Sequence, residues 1–302
     1  MTRILAIALL AFALSLAVHA ESPVIAPGAK LEKLGDGFSF TEGATADRDG
    51  NVYFTDQPND RIMKWSAEDK KITTFLQPAG RSNGMYFDKE GNLISCADEK
   101  NELWLIDMKG GHTVLVKDFE GKLMNGPNDV WQRPDGAMYI TDPYYKRPWW
   151  ATWNRPEGKQ IQIEGVYFLS ADRKTLTRVV EDLKQPNGIT GTPDGKTLYV
   201  ADIGAGKTYQ YDIHADGKLA NKKLICELGS DGMTLDNEGN LYLTGKGVTV
   251  FDKTGKQIEH IDVPGGWTGN LCFGGKDRSL LFIATSKAVW GMQMKTRGVH
   301  SK

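Results

Sequence analysis

Along this chain, short apolar runs are interrupted at regular intervals by a tight Gly turn and close on a polar residue, most often Asp. The first copy runs Ala44-Thr45-Ala46-Asp47-Arg48-Asp49-Gly50-Asn51-Val52-Tyr53-Phe54-Thr55-Asp56. Others run from Gly91 to Asp98, Gly136 to Asp142, Gly195 to Asp202 and Gly239 to Gly245, and a worn copy ends at Thr285. The end positions 56, 98, 142, 202, 245 and 285 are spaced by 42, 44, 60, 43 and 40 residues. Short strands repeating every 40–45 or so residues predict an all-β, six-bladed β-propeller, with one four-stranded sheet per repeat. The one long interval is a blade with an insertion. Ala288 to Met294 reads as the third strand of the last blade, with little chain left to follow it. The missing outer strand is then expected from Ala29 to Leu34, closing the ring from the N-terminal side.

Polar residues recur in the same register. Fourteen or fifteen positions before each repeat end stand Glu42, Asn83, Asn128, Asn187, Asp231 and Asn270, each just ahead of the predicted first strand. First strands line the axis of a propeller, so these six predict a ring of carboxylates and carboxamides around the channel. Asn or Asp before Gly is an ordinary turn pair, but six oxygen-bearing side chains in one register point to a shared site. An all-oxygen donor set without His or Cys suits one hard divalent cation, Ca²⁺ first, with Zn²⁺, Mg²⁺ and Mn²⁺ as alternatives.

Strand direction puts Asp56, Asp98, Asp142 and Asp202 at the rim of the same mouth, since an antiparallel second strand returns to that face. Their simplest role is capping the strand ends. The insertion follows Asp142 directly and carries Tyr144, Tyr145, Arg147, Trp149, Trp150, Trp153 and Arg155. It is expected over the mouth, as a lid, a self-packed loop or an interface. The turns of the type Asp47-Arg48-Asp49-Gly50-Asn51 imitate the start of a Ca²⁺ loop but read as hairpin turns on the opposite face. His112, His214 and His260 match no metal spacing and read as surface residues.

Composition narrows the picture. Net charge is −1 with both signs interspersed, which excludes the basic stripe of a nucleic-acid binder; no segment reads as a membrane-surface helix. Residues 1–20 read as a secretory signal peptide: Arg3, an apolar core from Ile4 to Val18, and Val18-His19-Ala20 at the cleavage point. Residues 21–302 then form a single exported domain, periplasmic or secreted, monomeric or weakly self-associating. Cys96, Cys226 and Cys272 are odd in number and scattered over three repeats, so no disulfide framework is expected. No nucleophile elbow, zinc-protease helix, phosphate loop or dinucleotide fingerprint occurs. A cation ringed by amides and carboxylates can still polarise a carbonyl, and a neighbouring carboxylate can take a proton from water. That chemistry suits an activated ester such as a lactone.

These segments together resemble the SMP-30/gluconolactonase (regucalcin-like) family, exported bacterial branch. The likeness rests on Phe40-Thr41-Glu42-Gly43, Gly126-Pro127-Asn128-Asp129-Val130, Thr141-Asp142-Pro143, Gln185-Pro186-Asn187-Gly188-Ile189, Pro193 to Asp202, Asp231-Gly232-Met233 and Cys272-Phe273-Gly274-Gly275. The resemblance implies a lactone hydrolase with one axial divalent cation held by Glu42, Asn187 and Asp231. It also implies Asp231 as catalytic acid/base and Asn128 as a substrate contact; Asn83 is expected to help orient the lactone. Where animal members carry an Arg, this chain has Gly126. Two other functions fit the same fold: a non-catalytic binding or scaffold propeller, and a paraoxonase-type esterase or lactonase.

Overall fold

The computed structural model describes residues 21–299; the signal peptide expected at residues 1–20 lies outside them. Each repeat folds into an antiparallel four-stranded sheet, and the six sheets form a six-bladed propeller. Blade 1 comprises Thr41–Ala46, Val52–Asp56, Arg61–Trp65 and Ile72–Leu76. Blades 2 to 5 begin at Ser82–Phe87, Val130–Gln132, Pro186–Gly191 and Met233–Leu235. Blade 6 begins at Thr268–Gly274 and continues through Leu280–Thr285 and Ala288–Gln293. Its outer strand comes from the N-terminal side, where Glu32 pairs with Gly291 and Asp36 with Ala288. The closing strand is Glu32–Asp36, displaced from the expected 29–34. Ala29 and Leu31 lead into it while packing against the core between blades 5 and 6, and Leu34 packs between blades 6 and 1.

Six apolar clusters hold the ring together, one at each blade junction. The inner strands read as nearly continuous apolar runs because both of their faces are covered. In Val52–Asp56, Phe54 faces blade 6 and lies 5.4 Å from the Phe282 ring, while Tyr53 faces blade 2 and lies 5.1 Å from Phe87. Cys96, Cys226 and Cys272 are buried, free thiols within these junctions. The hairpin turns close on their own Asp side chains: Asp47 Oδ1 accepts from the Asp49 and Asn51 amides, and Asp236 repeats the pattern. His112, His214 and His260 are all exposed.

Candidate active site

The polar ring is built by local breaks in strand geometry. Glu42, Asn83, Asn187 and Asn270 lie inside their first strands rather than ahead of them. Each stands at a bulge, where pairing skips between Glu42 and Thr45, Ser82 and Met85, Pro186 and Ile189, and Thr268 and Asn270. A bulge re-aims a side chain and ends regular pairing, which is why such positions favour sites. Asn128 and Asp231 stand two residues before their strands, as expected from the repeat. Glycine beside these residues lets neighbouring blades approach at the axis. A Cβ on Gly84 would sit 2.4 Å from both the Asn128 carbonyl oxygen and Asp129 Oδ1, and one on Gly188 would sit 2.5 Å from the Asp231 carbonyl oxygen.

Glu42, Asn187 and Asp231 converge. Asn187 Nδ2 donates to Asp231 Oδ1 at 2.8 Å and to the Tyr145 hydroxyl at 3.1 Å. Glu42 Oε2 accepts from the Gly43 amide at 2.7 Å and from Asn270 Nδ2 at 3.0 Å. Burial, with the charges of Asp231 and Asp129 adding to it, pushes Glu42 well above the carboxylate range. Asp231 is raised by burial too, against the hydrogen bonds from Trp267 and Asn187. Asn83 is buried with its Oδ1 unpartnered. Asn128 is buried and fixed through its backbone, accepting from Gly84 N at 2.7 Å and donating to Thr141 O at 2.9 Å.

Two participants escape the repeat register. Asp129 occupies the place held by Gly in Asn83-Gly84 and Asn187-Gly188; burial raises its carboxyl to about 8, and Val130 N donates to its Oδ1 at 3.0 Å. That Asp-for-Gly exchange within Asn128-Asp129 is itself a sequence signal. Trp267, 40% exposed, donates from Nε1 to Asp231 Oδ2 at 2.6 Å. It precedes the ring residue of blade 6 by three positions, and only its Gly265-Gly266 lead-in hints at an extended approach to the mouth.

The donor chemistry fits a hard cation. Glu42 and Asp231 share a site whose burial disfavours both charges, a buried amide oxygen at Asn83 lacks a partner, and a dication would answer both deficits. Among the described residues, no group of three or more His, Cys, Asp or Glu side chains is spaced for a metal, so two carboxylates and carboxamide oxygens are the available ligands. Asn187 presents Nδ2 to Asp231, and ligation would require its amide turned to bring Oδ1 inward.

The rim aspartates divide. Asp56 Oδ1 accepts from Ser39 N at 2.9 Å, Asp142 from Asn125 N and Gly126 N at 2.9 and 2.8 Å, and Asp202 from Lys184 N and Gln185 N at 2.9 Å each. Each clamps the segment entering its own blade. The insertion includes a 3-10 turn at Pro148–Trp153 and packs onto blade 2. Trp150 Nε1 donates to the Asp98 carbonyl at 2.8 Å, and Arg155 Nε to Asn101 Oδ1 at 2.8 Å. A Cβ at Gly126 would lie 3.1 Å from Asp98 Oδ1 and 3.5 Å from Trp150, and the backbone there, at φ 149°, disfavours any side chain. Behind the ring, the axis narrows to a cavity of about 70 Å³ lined by Met85, Val130, Ile189, Met233 and Leu271. That is room for a few waters and too little for a sugar ring.

The chain matches the SMP-30/Gluconolactonase/LRE-like region over residues 40–287. It is 28% identical to the gluconolactonase of Zymomonas mobilis subsp. mobilis, across 89% of this chain and 82% of that one. It is 26% identical to the diisopropyl-fluorophosphatase of Loligo vulgaris, across 92% and 96%. The solved gluconolactonase of Xanthomonas campestris superposes with a TM-score of 0.81 at 27% identity, covering 91% of this chain and 95% of that one. A family match spanning most of the chain, on a six-bladed propeller, makes this protein a member of the SMP-30/gluconolactonase family.

Proposed function

We propose that this protein is a divalent-metal-dependent hydrolase that opens sugar-type lactones, gluconolactone or a related aldonolactone first among them. One observation carries the reading: Glu42, Asn187 and Asp231 meet at one mouth of the axis, linked through Asn187 and Asp231 at 2.8 Å, in a chain related to proteins named gluconolactonase and lactonase. Glu42, Asn187 and Asp231 would hold the cation, most naturally Ca²⁺, which when bound supplies Lewis-acid polarisation of the lactone carbonyl. Asp231 takes the proton of the attacking water at a carboxylate oxygen, and Trp267 fixes that carboxyl in place. Asn128 and Asn83 orient the lactone from the adjoining blades.

Acid release over a lactone panel, with and without chelator, tests this. Turnover that chelator abolishes and Ca²⁺ restores supports it. Melting that shifts with chelator, without acid release on any lactone, favours a scaffold propeller instead. A second reading, hydrolysis of a phosphorus ester or fluoride at the same site, is favoured by the alignment over 96% of the squid diisopropyl-fluorophosphatase; the same assay with such a substrate separates the two. The paraoxonase-type alternative has that same relative behind it, while His112, His214 and His260 are exposed. The leader at residues 1–20 supports export, and recovery of a periplasmic or secreted chain starting near Glu21 checks it.

A further inference from the structure

Asp98 breaks the rim pattern. Asp56, Asp142 and Asp202 hold the backbone entering their own blades, but the segment entering blade 2 is held by Asp60, whose Oδ1 accepts from Ala79 N at 3.0 Å and Arg81 N at 2.7 Å. Asp98 is thereby released for another partner. It is buried, and its Oδ2 accepts from Arg147 Nε at 2.7 Å. The Arg147 guanidinium lies between two rings of its own loop, 5.2 Å from the Tyr145 centroid and 5.6 Å from that of Trp149. Tyr145 in turn accepts from Asn187, which donates to Asp231. A cation is thus fixed one side chain away from the ring.

Arg147 uses Nε alone. Its two terminal nitrogens make no hydrogen bond among the described residues, neither is a buried unpartnered atom, and the side chain keeps 21% of its surface open. A guanidinium held by an ion pair beside two aromatic rings, with its terminal nitrogens unpaired and not fully buried, is preorganised for a planar anion. A surface arginine would lose rotamer freedom on binding; this one has already lost it.

We propose that the Arg147 fork receives a carboxylate carried by the substrate itself, so that the preferred lactones derive from sugar acids bearing a second carboxyl group. This rests on the lactonase reading above and names its substrate class. Tyr145 and Trp149 flank the bound carboxylate, and Asp98 positions the guanidinium through Nε.

The test compares D-glucaro-1,4-lactone with D-glucono-1,4-lactone, which differ only in a carboxylate or a hydroxymethyl group at C6, using the full-length mature protein with Ca²⁺. The wild type is expected to favour the glucarolactone in kcat/KM by about tenfold or more. Arg147→Gln should collapse that ratio chiefly through KM, and Arg147→Lys should restore part of it. A purely structural role would lower both substrates alike and leave the ratio unchanged. A wild-type preference for the neutral lactone, or a ratio unaltered by Arg147→Gln in a folded variant, overturns the proposal. Should neither lactone react with any cation, the lactonase reading falls and the subsite is still tested by ligand-induced melting shifts. Glucarate must then stabilise the wild type more than gluconate does, and Arg147→Gln must erase that difference; equal shifts refute it.

Discussion

Asn187 donates its side-chain amide to Asp231 at 2.8 Å, joining blades 4 and 5 at the axis across 44 positions of sequence. With Glu42 raised by burial first and then by the charge of Asp231, this bond makes three distant residues one electrostatic unit. Asp231→Asn keeps the size and one of the two accepted side-chain hydrogen bonds but removes the proton acceptor. Turnover of any accepted lactone is expected to fall on the order of 10³-fold. Unchanged hydrolysis by the purified variant would end the assignment of Asp231. Glu42→Gln should instead raise the cation concentration needed for half-maximal rate by at least about tenfold, read from a chelator-buffered titration.

The blade count and the ring were legible because both obey the repeat: strand period gives the blades, and register gives Glu42, Asn83, Asn128, Asn187, Asp231 and Asn270. What was not legible follows from departures that no period encodes. Asp129 reaches the site only because blade 3 lacks the axial Gly, and Trp267 only because its loop bends over the rim. Four ring residues proved to lie inside strands, since a bulge costs one residue of register and leaves the apolar pattern intact. The fate of the aromatic insertion depended on a partner swap, Asp60 for Asp98, between residues of different blades.

The glycines beside the ring are read here as close-approach residues, and Gly84 tests that. Its Cβ would meet the Asn128 carbonyl oxygen at 2.4 Å and the Asp129 Cα at 2.6 Å, backbone atoms that cannot move without shifting blade 3. Gly84→Ala is expected to cost about 1–3 kcal/mol by overpacking. Denaturant unfolding reads this directly, and a variant as stable as the wild type would show that the axis has slack.

Closure through Glu32–Asp36 makes the propeller's integrity depend on a segment remote from blade 6 in sequence. Removing residues up to 36 strips the edge of Ala288–Gln293 and uncovers surface packed by Val24, Leu31 and Leu34. At about 1.5 kcal/mol for each of these three side chains, the loss is about 4.5 kcal/mol, or roughly 10 °C in Tm. A calorimetric midpoint unchanged by the truncation would refute the clasp.

Asp142 gives stability a pH dependence with a defined sign. Its carboxyl is wholly buried and accepts from Asn125 N and Gly126 N; burial first, then the charge of Glu164, raises it to about 7, against the backbone bonds and Arg155. A pKa raised on folding means the native state holds the proton more tightly than the unfolded chain. The stability this contributes is complete below the ordinary carboxylate range near 4 and is lost as pH climbs through about 7. Each such group changes the unfolding free energy by at most about 1.4 kcal/mol per pH unit. Asp98, also raised to about 7 by burial, acts in the same direction. The chelated protein should therefore melt at progressively lower temperature from about pH 5 to pH 8. Asp142→Asn, which cannot ionise, should melt lower overall for want of one backbone acceptor, yet with a shallower slope across that window. An equally steep slope in the variant would mean that Asp142 is ionised throughout, held by the two amides it caps.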